Sequence, residues 1–218
     1  MQYTDKYRSP LGEITLASDG DHLTGLWFDG QKYFAATLSA EHQERELPIF
    51  ELTKEWLDSY FMGKIPSFTP PIHLEDTPFR LAVWDLLSKI PYGEVVTYKE
   101  LAGEIARQKG IPSMSTQAIG GAVGHNPISI IIPCHRVVGS DGSLTDKPEG
   151  TTKKGACLQS NGSQKYRKET LPCKSLWTNI ECNYPINVIS FTSWSSISAY
   201  RKWPAKVSSV SWKKSSSS

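Results

Sequence analysis

The stretch NPISIIIPCHRVV, residues 126–138, decides the fold of the second half of this 218-residue chain. Its Asn-Pro pair forces extended backbone, and the isoleucines that follow predict a short strand over residues 128–132, buried on both faces. Cys134 comes directly after this strand, beside His135 and Arg136. Because a thiol becomes a nucleophile only as the thiolate, it needs a nearby base or positive charge. The stretch therefore predicts a candidate reactive cysteine at the end of a buried strand.

Cys134 and His135 admit a second interpretation. A single cysteine is more often a small buried hydrophobe, and a single histidine is more often a surface residue. Residues adjacent in an extended chain point to opposite sides, so we expect a water molecule, and not direct contact, to link these two side chains. The surrounding sequence has to decide between the two interpretations.

The N-terminal part of the chain predicts a small antiparallel sheet covered by one helix. Apolar and polar side chains alternate over residues 2–7, 13–18 and 22–28, with turn-forming residues between these segments. Over residues 48–62 apolar residues recur at helical spacing, and Gly63 then ends the helix.

A linker and three short helices follow this sheet. Three prolines in residues 64–73 predict extended backbone and a domain boundary. Thr77 predicts the start of a first helix, because it precedes a proline and an apolar stripe at helical spacing. Residues 98–107 and 115–123 predict two more helices across a tight turn, and the second is rich in small residues. This pair fits a helix-turn-helix.

The charge of the chain is divided unevenly. Residues 151–218 hold 11 of the 24 Lys and Arg but 2 of the 22 Asp and Glu. Such a tail is either a basic arm for nucleic acid or a solvated, disordered extension that was never selected as protein, and the composition favours the second. We expect three parts: an N-terminal α/β domain, residues 1–70; a helix-turn-helix acceptor domain, residues 71–145; and a basic, serine-rich tail, residues 146–218.

Composition also excludes several classes of protein. The longest apolar run, residues 128–133, is far shorter than the roughly 20 residues of a membrane span, and the charged N-terminus does not fit a signal peptide. The four cysteines show no CxxC spacing, which argues against a disulfide framework and a zinc site. We expect a cytoplasmic protein that holds no metal and does not enter a membrane.

Residues 126–138 closely resemble the acceptor-site signature of the O6-alkylguanine-DNA alkyltransferases, also called methylated-DNA-protein-cysteine methyltransferases, of bacterial type. The resemblance covers roughly residues 1–145 and is strongest from Thr77 onward. It implies an α+β fold, with a ribonuclease H-like N-terminal domain of sheet and helix before a mainly helical helix-turn-helix domain. Further matching segments are Thr77-Pro78-Phe79, Ile90-Pro91-Tyr92-Gly93-Glu94 and Ala118-Ile119-Gly120-Gly121-Ala122.

This resemblance implies DNA repair by irreversible transfer of an alkyl group from O6-alkylguanine in double-stranded DNA to the protein's own cysteine. O4-alkylthymine is a further candidate substrate, no metal or cofactor takes part, and each molecule acts once. Nothing in the sequence demands more than a monomer. By this resemblance Cys134 is the acceptor and His135 the base that reaches it through water. Tyr98 would give a proton to the base, which must leave the helical stack to be reached, and Asn126 would position the active-site turn.

The resemblance also implies a DNA-binding surface, because in the family the second helix of the helix-turn-helix enters the minor groove. Gln117 stands where many members carry an arginine that fills the gap left by the flipped base. An amide can fill that space but lacks attraction to phosphate, so we expect weaker DNA binding. The residues implied to line the DNA are Ser113, Ser115, Thr116, Gln117, Ala118 and Gly121, with Ser140 near the phosphates and Lys99, Arg107 and Lys109 as the nearby cations.

The resemblance ends at Thr145. Family members continue with a Tyr-x-Gly-Gly segment that walls the guanine pocket, and with a helix whose glutamate orients the active-site histidine. A one-base frame shift from the Thr145 codon is compatible with that segment, which predicts that residues 146–218 are out of frame. We therefore expect an open pocket, a His135 without its orienting partner, and reduced transfer. Two alternatives remain: an alkylated-DNA-binding protein without transfer, and a cysteine hydrolase that uses Cys134 and His135.

Overall fold

The computed structural model describes residues 1–144 and 153–158, which all lie in one compact unit. A four-stranded sheet opens the chain, in the spatial order β3-β2-β1-β4. Strand β2 is antiparallel to β1 and β3, and β4 lies parallel to β1. The strands are β1 (Gln2–Ser9), β2 (Gly12–Ser18), β3 (Leu23–Phe28) and β4 (His42–Glu44). The first three were predicted, whereas β4 was missed because its three residues are polar and exposed.

Helix α1 (Pro48–Phe61) covers this sheet, as predicted. Proline occupies the first helical position, where no intrahelical bond is lost. Phe50, Leu57 and Tyr60 are fully buried on the face that packs inward. Gly63 follows with a φ of 72°, a left-handed conformation that glycine adopts without strain. Sequence analysis identified this helix and the glycine that ends it.

The proline-rich linker runs extended along β3. The amide of Leu23 donates to the Pro71 carbonyl at 2.8 Å, and the amide of His73 donates to the Leu23 carbonyl at 3.0 Å. These two bonds form a parallel bridge between Leu23 and Ile72. The extended backbone is therefore confirmed, while the domain boundary at this segment stays a prediction.

Three helices follow, each at the predicted place: α2 (Pro78–Ser88), α3 (Tyr98–Lys109) and α4 (Thr116–Gly124). The Thr77 side chain caps α2, and Ser115 caps α4. Before α3, Thr97 and Glu100 form a capping box in which each side chain accepts the other's backbone amide. The Trp84 indole donates to the Ala122 carbonyl at 2.8 Å and ties α2 to α4.

The structure also contains a small two-stranded parallel ladder. It joins β5 (Val96–Thr97), just before α3, to β6 (Val137–Val138), just after the candidate cysteine. The α+β class is confirmed. Of the predicted tail 146–218, residues 153–158 are helical, and the rest lies outside the described residues. None of the helices in the described ranges is long and apolar enough to cross a bilayer.

Candidate active site

The segment before the candidate cysteine is a turn, and the predicted strand over residues 128–132 is wrong. Ile130 has a φ of 70°, which no extended strand contains. Ile128 forms one isolated bridge to Leu26: the Leu26 amide donates to the Pro127 carbonyl at 2.8 Å, and the Ser129 amide donates to the Leu26 carbonyl at 2.9 Å. Ile128, Ile130 and Ile132 are buried in this turn and Ile131 is half-buried, so the apolar run indicated burial but not extended backbone.

Asn126 holds this turn together. Its Nδ2 donates to the carbonyls of Ile128 and Ile132, at 3.1 Å and 2.8 Å, and its Oδ1 accepts from the Ile128 amide at 3.1 Å. The side chain is buried, so these bonds satisfy backbone groups that water does not reach. Such contacts suit a residue that positions the turn, which is the role that sequence analysis gave to Asn126.

Cys134 begins a single turn of 3-10 helix, Cys134–Arg136, and is half-buried. The expectation of extended backbone between Cys134 and His135 is therefore wrong, although a linking water stays a prediction. His135 is 4% exposed, which contradicts the interpretation of a surface histidine. Its Nε2 lies 3.1 Å from the Tyr60 hydroxyl, and Arg136 donates to the Ile90 carbonyl at 2.7 Å.

The electrostatics of the site keep His135 neutral. Burial, then the positive charges of Arg136 and Lys154, lower the pKa of this imidazole well below its usual 6.5. Cys157 is a second, buried thiol. Burial, and to a smaller extent the neighbouring Cys134, raises the pKa of Cys157 to about 12. Cys157 thus stays a protonated, buried thiol, while the half-buried Cys134 has a neutral base next to it in sequence.

Tyr98 stands at the first position of α3, and its hydroxyl accepts a hydrogen bond from the Lys154 ammonium at 3.4 Å. Lys154 is 7% exposed and also lies over the Tyr98 ring, 5.7 Å from its centroid. Sequence analysis missed Lys154 because it assigned this residue to an unrelated tail. Lys154 lies 56 positions after Tyr98, a distance over which no spacing pattern links the two residues.

The predicted DNA-binding residues are exposed, and they lie on α4, just before it and in the loop after β6. The buried face of α4 is made of Ile119, Ala122 and Val123. The exposed residues are Ser113, Ser115, Thr116, Gln117, Ala118 and Gly121, and Ser140 is exposed in the loop after β6. Of the nearby cations, Arg107 pairs with Glu104 at 2.6 Å, and Lys109 lies over the Phe79 ring.

Two family models match the chain one after the other. Residues 2–74 match the ribonuclease-like domain of 6-O-methylguanine DNA methyltransferase, and residues 78–163 match its DNA binding domain. The methylated-DNA-protein-cysteine methyltransferase of Haemophilus influenzae is 40% identical over 158 residues, which are 72% of this chain and 84% of the relative. The chain belongs to the methylated-DNA-protein-cysteine methyltransferase family.

Other methyltransferases of this family show the same likeness. The Mycobacterium tuberculosis protein is 41% identical over 151 residues, or 69% of this chain and 87% of the relative. The structure of M. tuberculosis OGT in complex with DNA has a TM-score of 0.62 at 37% identity, covering 73% of this chain and 92% of that one. For the structure of the M. tuberculosis O6-methylguanine methyltransferase the TM-score is 0.64 at 36% identity, covering 74% of this chain and 93% of that one.

The match to the methyltransferase DNA binding domain extends past Thr145, where sequence analysis ended the resemblance. Residues 153–158 therefore fall inside the matched region, and they contact the candidate site through Tyr60 and Tyr98. Within the ranges 1–144 and 153–158 no group of three His, Cys, Asp or Glu is placed to hold a metal ion.

Proposed function

We propose that this chain repairs double-stranded DNA by moving an alkyl group from O6 of guanine to its own Cys134, once and irreversibly. The observation that carries the proposal is the half-buried thiol at the start of the 3-10 turn, next to the neutral imidazole of His135. A neutral imidazole can accept the thiol proton, whereas an imidazolium cannot. The cations of Arg136 and Lys154 favour the thiolate that forms.

The reaction balances with groups of this chain. The Cys134 proton passes through a water molecule to His135, and the sulfur attacks the alkyl carbon. The new S–C bond forms as the C–O6 bond breaks, and its electron pair leaves with guanine. The Tyr98 hydroxyl gives guanine a proton, and the Lys154 ammonium, 3.4 Å away, replaces it. The products are an S-alkylcysteine and an intact guanine.

The DNA contact in this proposal is the exposed face of α4. Small residues on that face allow close approach to a groove, and Gln117 is the long side chain at its N-terminal end that can enter the space of the flipped base. The partner is double-stranded DNA with O6-alkylguanine, O4-alkylthymine being a further candidate. The protein acts as a monomer in the cytoplasm, without a cofactor.

The test is the intact mass of the protein after incubation with a duplex that contains one O6-methylguanine. We expect a gain of one methyl group, with peptide mapping that places it on Cys134. Cys134→Ser should gain nothing, and Cys157→Ser should gain the methyl group as the wild type does. Folded wild-type protein that gains no mass contradicts the proposal, and saturable binding without a mass change would favour a binding protein instead.

A further inference from the structure

Tyr60 lies at the meeting point of three segments that are distant in sequence. It belongs to α1 and is fully buried. Its hydroxyl lies 3.1 Å from His135 Nε2, in the acceptor turn, and 3.1 Å from the Cys157 carbonyl oxygen, in residues 153–158. The proposed reaction gives Tyr60 no part, and sequence analysis identified it only as an apolar position of a helix.

The hydrogen count at this hydroxyl fixes the protonation of the imidazole. A carbonyl oxygen only accepts, so the single phenol proton of Tyr60 is donated to Cys157. The bond to His135 then needs a proton on Nε2, which Tyr60 accepts through its oxygen. A neutral imidazole carries one N–H, so Nδ1 is left with the basic lone pair.

We propose that Tyr60 is a positioning residue for His135, holding it as the Nε2–H tautomer so that Nδ1 is the nitrogen that takes the Cys134 proton. This inference rests on the proposed alkyl transfer. Sequence analysis expected His135 to lack an orienting partner, because the resemblance ends at Thr145, before the family helix whose glutamate orients the histidine. In the structure a phenol on α1 contacts the imidazole instead.

A phenol and a carboxylate orient an imidazole with different consequences. A carboxylate stabilises the imidazolium and raises its pKa, whereas a phenol that is itself buried adds no negative charge. Burial raises the pKa of Tyr60 far above its usual range, so it stays neutral. The other groups facing the pair are the cations Arg136 and Lys154, the Tyr92 phenol, and the thiols of Cys134 and Cys157. We therefore expect no loss of transfer rate through protonation of His135 down to about pH 6.

The first experiment reads the tautomer in the wild-type protein. With 15N-labelled histidine at neutral pH, we expect His135 to show a protonated, pyrrole-like Nε2 and a pyridine-like Nδ1, assigned by the signals lost in His135→Gln. An Nδ1–H tautomer or an imidazolium would overturn the proposal. This measurement does not depend on transfer, so it stands even if the wild type transfers nothing, in which case the proposed function fails alone.

The second experiment compares two tyrosine variants, each of which removes one hydrogen bond made by or to helix α1. Tyr60→Phe removes the hydrogen bond between the Tyr60 hydroxyl and His135. Tyr7→Phe removes the 2.7 Å hydrogen bond that the Tyr7 hydroxyl donates to Asp58, a residue of the same helix as Tyr60, and keeps the ring. We expect Tyr60→Phe to lower the single-turnover methyl-transfer rate about 10- to 100-fold and to mix the His135 tautomers. Tyr7→Phe should change neither. A folded Tyr60→Phe protein with the transfer rate and the His135 tautomer of the wild type would overturn the proposal. If Tyr60→Phe does not fold, the tautomer measured in the wild-type protein decides the question.

Discussion

Replacing Asn126 tests whether one side chain holds the acceptor turn. Asn126→Ala removes three hydrogen bonds, to the Ile128 amide and to the carbonyls of Ile128 and Ile132, inside a buried segment. Each bond contributes about 1 kcal/mol net, and a buried group left without a partner costs about 1–3 kcal/mol. Ile128 O keeps a second donor, the Ile132 amide at 3.2 Å. We therefore expect the free energy of unfolding to fall by about 3–5 kcal/mol, a large part of the 5–15 kcal/mol typical of a domain.

Asn126→Asp sharpens this test because it keeps the shape and the acceptor but replaces the donor by a carboxylate oxygen facing two carbonyls. We expect at least as large a loss as in Asn126→Ala. Urea unfolding followed by the fluorescence of the buried Trp27 and Trp84 measures it, with the exposed Gln117→Ala as a control within about 0.5 kcal/mol of the wild type. A loss below about 1 kcal/mol in both Asn126 variants would refute the assignment of the turn to this side chain.

Three further predictions concern stability, each measured by urea unfolding. Thr97→Ala removes the capping box of α3 and should cost about 1 kcal/mol, whereas an unchanged midpoint would mean that the cap contributes nothing. Gly103→Ala should stabilise the protein by about 0.5–1 kcal/mol, because Gly103 lies inside α3 with open space around the added methyl group. Gly25→Ala should destabilise it by about 1–3 kcal/mol, because the added methyl group overlaps the buried Trp27 ring. Equal effects of the two substitutions would contradict this prediction. The pKa of His135 is lowered in the folded state, so the unfolded chain binds a proton more readily than the folded protein does. The free energy of unfolding is therefore unaffected by this group above the unfolded pKa of about 6.5, and it falls as the pH drops below that value, by up to about 1.4 kcal/mol per pH unit. His135→Gln should remove this slope and the exposed His42→Gln should keep it.

Most of the secondary structure could be predicted because it depends on neighbouring residues. Alternation of apolar side chains marks β1 to β3, and the buried positions of α1 recur at helical spacing. Thr77 and Ser115 cap their helices through their own side chains, so the starts of α2 and α4 could also be predicted from neighbouring residues. Strand β4 escaped prediction, since its pairing with β1 depends on no pattern within its three residues.

The candidate site could be predicted only in part. The acceptor and its base were visible as adjacent residues, and Tyr98 and Asn126 were indicated by a family pattern. The turn over residues 128–132 could not be foreseen, because four isoleucines suit a strand as well as a buried turn, and the choice depends on bonds from Asn126 and β3. Tyr60 lies 75 residues from His135 in sequence, a distance over which no spacing argument operates.

The anchoring of the acceptor turn on β3 sets the order in which the protein is assembled during synthesis. Leu26 pairs with Ile128, and Ser129 bonds to Gln31, a residue 98 positions earlier. At about 5–20 residues per second, the edge of β3 leaves the ribosome roughly 5–20 seconds before the segment that covers it. Because contacts between such distant residues lose loop-closure entropy before they stabilise anything, they form late. The nascent sheet thus has an unpaired edge open to chaperones or to other chains, and the acceptor turn is completed near the end of folding.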